Sequence, residues 1–328
     1  MTLSTSSFKA LWLAAVVILG VESLLTLAPP TITCLGAQPD LGDLLNASAD
    51  ERTIRTSRAR ILILGDSTAI YGVHPDTVEK IVNAPVENIS RTIHYGLVGL
   101  QKVLEEALKS HPDVRLVVMP LSQRLFTSSD EEALRGGYLD RFLKAHKIHD
   151  RERNLGNTAW IPSMHLSGEV TRLMFFDTDR IYFGRYSFRQ WQALCEEGRG
   201  SLRLPDVHHP TRGDILREFN RPAQAERGPQ LAALCRMAQE KGLQVLVVMT
   251  PISITADRIL REVGVMTTAE SQLREVAGLL PPEALFDPAI PVFPDEAFCD
   301  TVHLNSTGND AYSAQVAAAI GGLGPALK

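Results

Sequence analysis

Three short runs of apolar residues constrain the fold of this 328-residue chain more than any other feature. They are ILILG at 61–65, VRLVVMPL at 114–121 and QVLVVMTP at 244–251. A continuous apolar run of this length, bounded by turn residues, is typical of a strand that is covered on both faces. A weaker strand is predicted at 86–89. These runs predict the interior strands of a parallel sheet.

Segments with helical spacing of apolar residues separate the runs. Helices are predicted over 76–82, 97–108, 229–241, 256–263, 268–279 and 311–320. Strands that alternate with helices are the pattern of an open, mostly parallel sheet with helices on both faces. The sequence therefore predicts an α/β domain.

The alternation breaks between about residues 122 and 225. This stretch is rich in arginine and holds Trp160, Trp191 and several aromatic residues between 175 and 188. We interpret it as a large helical or irregular insertion over the carboxyl edge of the sheet, with ordinary helical decoration as the alternative. The predicted organisation is an N-terminal segment (1–30), a spacer (31–58) and a domain at 59–321 that carries the insertion.

The N-terminal segment contains ALWLAAVVILGVESLLTLA at 10–28, between Lys9 and Pro29. A helix needs roughly 20 apolar residues to cross a bilayer. We favour an uncleaved membrane anchor; a cleaved signal peptide, a lipoprotein signal before Cys34 and a buried helix are the alternatives. An anchor or a signal peptide would place the domain outside the cytoplasm, in the periplasm or at the cell surface.

Charge and cysteine content argue against several classes of function. The net charge is −5 and the pI is about 6.0, so a nucleic-acid partner is not indicated. The four cysteines form no C-x-x-C pair, which argues against a zinc ribbon. Cys195 and Cys235 could form a disulfide in an oxidising compartment, but both lie in helical patterns where buried thiols are common.

Ser67 directly follows the first apolar run, in GDST at 65–68. Sites in open α/β sheets form outside the carboxyl ends of the strands, although these residues are also common in turns and helix caps. A nucleophilic serine needs a base and a group that orients the base. The segment FCDTVHLNSTG at 298–308 supplies Asp300 and His303, at a spacing that places the carboxylate beside the imidazole.

A second D-x-x-H pair, Asp206 and His209, lies between two prolines, with no strand or helix pattern around it. It is a weaker candidate for catalysis. With His208, the same pair is an equally weak candidate metal site. The favoured interpretation involves no metal and no cofactor.

The two stronger motifs, GDSTAIYGVHPD at 65–76 and DTVHLNSTGNDAYS at 300–313, resemble those of the SGNH (GDSL-type) hydrolase superfamily. They are most similar to its membrane-anchored extracytoplasmic branch, which includes polysaccharide O-acetyltransferases of the alginate type and the D-alanyl transfer protein of teichoic acids. The resemblance covers residues 60–121 and 243–320. It implies a three-layer α/β/α fold with a flavodoxin-like sheet. It also implies Ser67 as nucleophile, His303 as general base and Asp300 as its orienting partner.

The resemblance further implies an oxyanion hole built after the second and third strands. The backbone N–H of Ser67 is one donor. Asn88 and Gly96 are candidates in the second block, and Gln123 or Arg124 stands near the place of the third. Arg124 could instead bind an anionic substrate, or form a structural ion pair.

These features predict an extracytoplasmic serine esterase or acyltransferase that adds or removes an acyl group, such as acetyl, on a surface polysaccharide. The expected substrate is an acylated carbohydrate or another ester, and an integral membrane acyltransferase is a possible partner. The alternative is a catalytically silent domain that binds glycans or scaffolds an envelope assembly complex.

Overall fold

The computed structural model describes residues 49, 52–53, 57–126, 197–205, 207–219 and 227–323. These residues form seven strands: β1 (Ile61–Ile63), β2 (Val86–Asn88), β3 (Leu116–Leu121), β4 (Gln244–Met249), β5 (Ile252–Ser253), β6 (Ala284–Asp287) and β7 (Val292–Phe293). Five of them build one sheet in the order β2-β1-β3-β4-β6, and all of its pairings are parallel. This is the strand order of flavodoxin-like sheets. β5 and β7 form a separate parallel pair.

Helices connect the strands, as parallel pairing requires. They are α1 (Ser67–Gly72), α2 (Pro75–Val82), α3 (Gly96–Ser110), α4 (Arg212–Phe219), α5 (Arg227–Glu240), α6 (Ile254–Glu262), α7 (Val265–Leu279) and α8 (Ser306–Gly321). Single 3-10 turns lie at Ile93–Tyr95, Gln123–Phe126 and Asp295–Ala297.

Two apolar clusters cover the two faces of the sheet. Successive side chains of a strand point to opposite faces, so Leu62 packs with α3, α5 and α7, whereas Ile61 and Ile63 pack with α2 and α8. A third cluster joins α4 and α6 to Val302. The predicted α/β class, with a parallel sheet between two helical layers, is therefore confirmed.

Two parts of the chain that were predicted to lie outside the sheet contact the domain closely. Arg52 and Thr53, in the predicted spacer, are buried, and the Arg52 Nε donates to the carbonyl of Asn88 at 2.9 Å. In the predicted insertion, the N–H of Leu202 donates to the carbonyl of Ile70 at 2.8 Å, and the carbonyl of Leu204 accepts from Ser306 at 2.7 Å. Residues 197–205 thus connect α1 to the start of α8.

The predicted membrane segment at 10–28 and the insertion from 127 to 196 lie outside the described residues. Within the part of the chain that is described, no helix is both long enough and apolar enough to span a bilayer.

Candidate active site

Ser67 is the first residue of α1, immediately beyond the carboxyl end of β1. The chain leaves the strand through Gly65, where a Cβ atom would lie 2.2 Å from the carbonyl oxygen of Pro120 and 2.7 Å from the Cβ of Ala69. Only glycine fits between β3 and α1 at this point. Asp66 then caps the helix by accepting the Thr68 N–H at 2.8 Å.

The Asp66 carboxylate joins two strand ends. Its Oδ1 also accepts the Thr68 hydroxyl at 2.5 Å, and its Oδ2 accepts the hydroxyl and the N–H of Ser122 at 2.5 and 3.2 Å. Ser122 directly follows β3. The Thr68 hydroxyl oxygen also lies 3.1 Å from the hydroxyl of Thr250, which directly follows β4. Because the Thr68 proton is donated to Asp66, Thr250 is the donor in this second bond. The carboxyl ends of β1, β3 and β4 are thereby fixed around Ser67.

His303 and Asp300 lie on a loop that leads into α8. An antiparallel bridge between Phe298 and Leu304 closes this loop, and the Cys299 N–H donates to the carbonyl of His303 at 2.9 Å. The side chain of Asn305 caps α8 by accepting from the N–H groups of Thr307 and Gly308. The loop is therefore held at both ends, and its side chains project from a fixed backbone.

The structure brings Ser67, His303 and Asp300 into one hydrogen-bonded line. His303 Nε2 is 2.9 Å from Ser67 Oγ, and His303 Nδ1 is 2.7 Å from Asp300 Oδ2. A carboxylate only accepts hydrogen bonds, so we assign the imidazole proton to Nδ1. Nε2 is then the acceptor of the Ser67 hydroxyl proton. This arrangement can activate a serine for attack on an acyl group.

Asp300 is held as a carboxylate. Burial, the largest single influence on this group, raises its pKa, but the opposing influences together lower the pKa to about 2. They are the charge and hydrogen bond of His303 and the backbone N–H groups of Val302 and His303, both of which donate to Oδ1 at 2.8 Å. A permanent negative charge beside Nδ1 stabilises the imidazolium that forms when His303 takes a proton.

The four oxyanion and substrate candidates have different surroundings. Within the described part of the chain, the backbone N–H of Ser67 has no hydrogen-bond acceptor, as is usual in the first turn of a helix. Asn88 is fully buried and its Nδ2 donates to the carbonyls of Ala69 and Val73, at 3.2 and 3.1 Å. Asn88 therefore anchors α1 to β2 and has no amide hydrogen left for a substrate.

Gly96 and Arg124 also have other partners. The N–H of Gly96 donates to the carbonyl of Ile93, within the turn before α3. Arg124 forms an ion pair with Glu218 of α4 at 2.7 Å, which is the structural alternative weighed for this residue. Both groups therefore have partners of their own within the fold.

Gln123 has an unusual position at the same edge of the sheet. It follows Ser122 and its side chain is buried, and its Oε1 has no hydrogen-bond partner among the described residues. The sequence placed Gln123 near the third block only through the resemblance. The positioning roles of Ser122 and Thr250 were not predicted, although both residues follow apolar runs as Asp66 does.

The remaining sequence candidates are exposed, buried as thiols, or outside the described residues. Asp206 and Cys195 are outside them, while His208 and His209 are exposed. No group of three or more metal-ligating side chains is found in the described ranges. Cys235 and Cys299 are free thiols. Burial raises the pKa of the Cys235 thiol to about 12, so Cys235 is not a nucleophile at neutral pH.

Comparison with known proteins adds no assignment: no family model matches the chain, and no curated protein matches it either.

Proposed function

We propose that the chain is a serine esterase or O-acyltransferase that forms an acyl-serine at Ser67. The observation that carries the proposal is the pair of short contacts that His303 makes, 2.9 Å to the Ser67 hydroxyl and 2.7 Å to Asp300. The motif resemblance at 65–76 and 300–313 supports the same reaction class.

The reaction is a double displacement. Ser67 Oγ attacks the carbonyl carbon of an ester while His303 Nε2 takes the hydroxyl proton. The alcohol of the ester then leaves with that proton, and the acyl group stays on Ser67. Water or a carbohydrate hydroxyl next attacks the acyl-serine and gives its proton to His303. This second step releases an acid or a new ester and returns the proton to Ser67.

Two groups are our candidates for binding the oxyanion of each tetrahedral intermediate. The first is the backbone N–H of Ser67, which has no acceptor among the described residues. The second is the Nε2 group of the Gln123 side-chain amide, which would donate from the turn that follows β3 and Ser122. Loss of one such donor typically costs about 10²–10³ in rate. Replacement of Gln123 by Ala should therefore reduce turnover by about this factor if the amide binds the oxyanion.

We further propose that the acceptor is a surface polysaccharide and that the acyl donor reaches Ser67 from an integral membrane partner. The support is the motif resemblance together with the apolar segment at 10–28, which would anchor an extracytoplasmic domain. Transfer of acetyl from a p-nitrophenyl ester to added oligosaccharide, followed by mass spectrometry, would separate transfer from hydrolysis.

The first test is labelling of the full-length chain with a fluorophosphonate probe, in a mild detergent that keeps residues 10–28 in solution. Ser67→Ala should abolish the label, and His303→Ala should slow labelling by about 10²–10⁴. Ser253→Ala is the matched control, because the Ser253 side chain caps α6 through the N–H of Ala256 and hydrogen-bonds Asp295, and neither contact involves Ser67 or His303. It should leave labelling intact.

Each outcome decides between named alternatives. A label that persists in Ser67→Ala would show that another residue is the nucleophile. A folded wild-type chain that takes no label would favour the silent glycan-binding or scaffold domain over an enzyme.

A further inference from the structure

A second side chain of α1 contacts the proposed catalytic base. The ring of Tyr71 packs against the imidazole of His303, with 4.4 Å between the ring centroids and 31° between the ring planes. Tyr71 is buried and only 3% exposed. The contact is thus a tilted stacking of the phenol ring on the imidazole.

The helix places Tyr71 there because of its spacing from Ser67. Residues four apart lie on the same side of a helix, one turn from each other. α1 therefore presents the nucleophile in its first turn and the aromatic ring in the next. Both side chains meet the same imidazole, Ser67 at its Nε2 atom and Tyr71 at its face.

The backbone of α1 is fixed relative to the base by bonds that cross between elements. The Nδ2 of Asn309, in α8, donates to the carbonyl of Tyr71 at 2.7 Å. The adjacent carbonyl, that of Ile70, accepts from Leu202 at 2.8 Å. Since α8 begins three residues after His303, these bonds fix the position of Tyr71 relative to the His303 loop.

The Tyr71 ring limits a motion of the imidazole that the two hydrogen bonds of His303 leave free, namely tilting out of its plane. Ser67 and Asp300 act in the plane of the imidazole, and hydrogen bonds tolerate considerable tilt. A ring against one face restricts that tilt and keeps water from that face. The face of a tyrosine ring also carries negative partial charge, which attracts a cation within about 6 Å of the centroid.

We propose that Tyr71 is a positioning residue for His303: its ring holds the imidazole in line with Ser67 and stabilises the positive charge that the imidazole gains as Ser67 attacks. The inference rests on the proposed function. Because the imidazole becomes positive only as Ser67 attacks, the attraction is stronger in the transition state than in the resting site and so accelerates the reaction. Among the described residues, the hydrogen-bond partners of the His303 ring are Asp300, on its own loop, and the Ser67 hydroxyl, on α1.

The kinetic test compares two replacements of Tyr71 in the full-length chain. Tyr71→Phe keeps the aromatic face, whereas Tyr71→Leu keeps most of the apolar volume and removes that face. The second-order rate of fluorophosphonate labelling should fall by about 2- to 30-fold in the Leu variant and by less than about twofold in the Phe variant. With an ester substrate, the loss should fall on kcat and leave KM unchanged.

Tyr95→Leu is the matched control. Tyr95 is also buried, at 2% exposure, and its ring lies near Arg91 instead of His303. This variant should lose stability as Tyr71→Leu does and keep the wild-type labelling rate. Equal losses in Tyr71→Phe and Tyr71→Leu would overturn the proposal, as would an unchanged rate in Tyr71→Leu.

A spectroscopic measurement tests the placement without relying on activity. The Cε1–H proton of His303, assigned by its absence in His303→Ala, should carry an upfield ring-current shift. The shift should persist in Tyr71→Phe and disappear in Tyr71→Leu; its persistence in the Leu variant would refute the packing. If the wild-type chain takes no label, the proposed function fails, and this comparison still decides whether Tyr71 orients His303.

Discussion

Replacement of Asp300 by Asn should change how the stability of the chain depends on pH. The Asp300 carboxyl is nearly buried, yet its pKa is about 2 in the folded protein against 3.8 for a free side chain. Burial alone would raise the pKa. The charge of His303 and the hydrogen bonds of His303 and Val302 more than offset that influence. The folded state therefore favours the ionised carboxyl.

The magnitude and the sign follow from this difference in pKa. A shift from 3.8 to about 2 is nearly two units, which corresponds to about 2 kcal/mol of unfolding free energy. Because the pKa is lowered on folding, the unfolded chain takes the proton first as the pH falls. The stabilisation is complete above about pH 5 and is lost as the pH falls through 4 toward 2.

Urea unfolding, followed by circular dichroism from pH 6 to pH 2.5, measures the effect. The difference in unfolding free energy between wild type and Asp300→Asn should shrink by about 2 kcal/mol over this range, because carboxyls common to both proteins cancel. In a His303→Ala background, the pH-dependent part of this difference in unfolding free energy should be smaller. The two backbone N–H bonds to Asp300 remain there, but the imidazolium is gone. A difference that is constant with pH, or that grows toward acid, would refute the reasoning.

Three further perturbations have defined outcomes. Gly65→Ala brings a Cβ to 2.2 Å from the carbonyl oxygen of Pro120, so it should destabilise the chain by about 1–3 kcal/mol and slow Ser67 labelling. Gly278→Ala is the control in urea unfolding: it lies in α7 with open space around the added Cβ, so it should stabilise the chain by up to about 1 kcal/mol. Asn309→Ala removes donors to the carbonyl of Tyr71 and to the Ser201 hydroxyl, and should cost about 1–3 kcal/mol by the same assay. Cys235, with a pKa of about 12, should resist iodoacetamide at pH 8 until urea unfolds the chain, as peptide mapping would show; rapid modification of the folded chain would contradict its burial.

The three interior strands of the sheet were predictable because each lies in a continuous apolar run that is covered on both faces. The prediction at 244–251 corresponds to β4 at Gln244–Met249, and the prediction at 114–121 to β3 at Leu116–Leu121. β6 was missed since it is an edge strand of four residues whose side chains alternate in exposure, between two proline-containing segments. α1 was missed for a different reason: six residues contain too few turns to show helical periodicity.

The candidate site was predictable only where its residues are close in sequence or follow a strand. Asp300 and His303 are three residues apart, so their contact depends on local geometry alone. Asn88 could not be assigned in this way, because its amide bonds the carbonyls of residues 69 and 73. That contact exists only because α1 packs beside β2, and no spacing in the sequence encodes it.

The structure also explains why Asp300 orients His303 and Asp66, which adjoins Ser67, does not. Asp66 adjoins Ser67, yet its two oxygens already accept four hydrogen bonds, from the hydroxyls and N–H groups of Thr68 and Ser122. Asp300 accepts two N–H groups on Oδ1, which leaves Oδ2 for the imidazole. A carboxylate that orients a base must be fixed by one oxygen and available at the other, because a free carboxylate rotates and a saturated one cannot bind the ring. Asp66 therefore sets the position of the serine, and only Asp300 can set the position of the histidine.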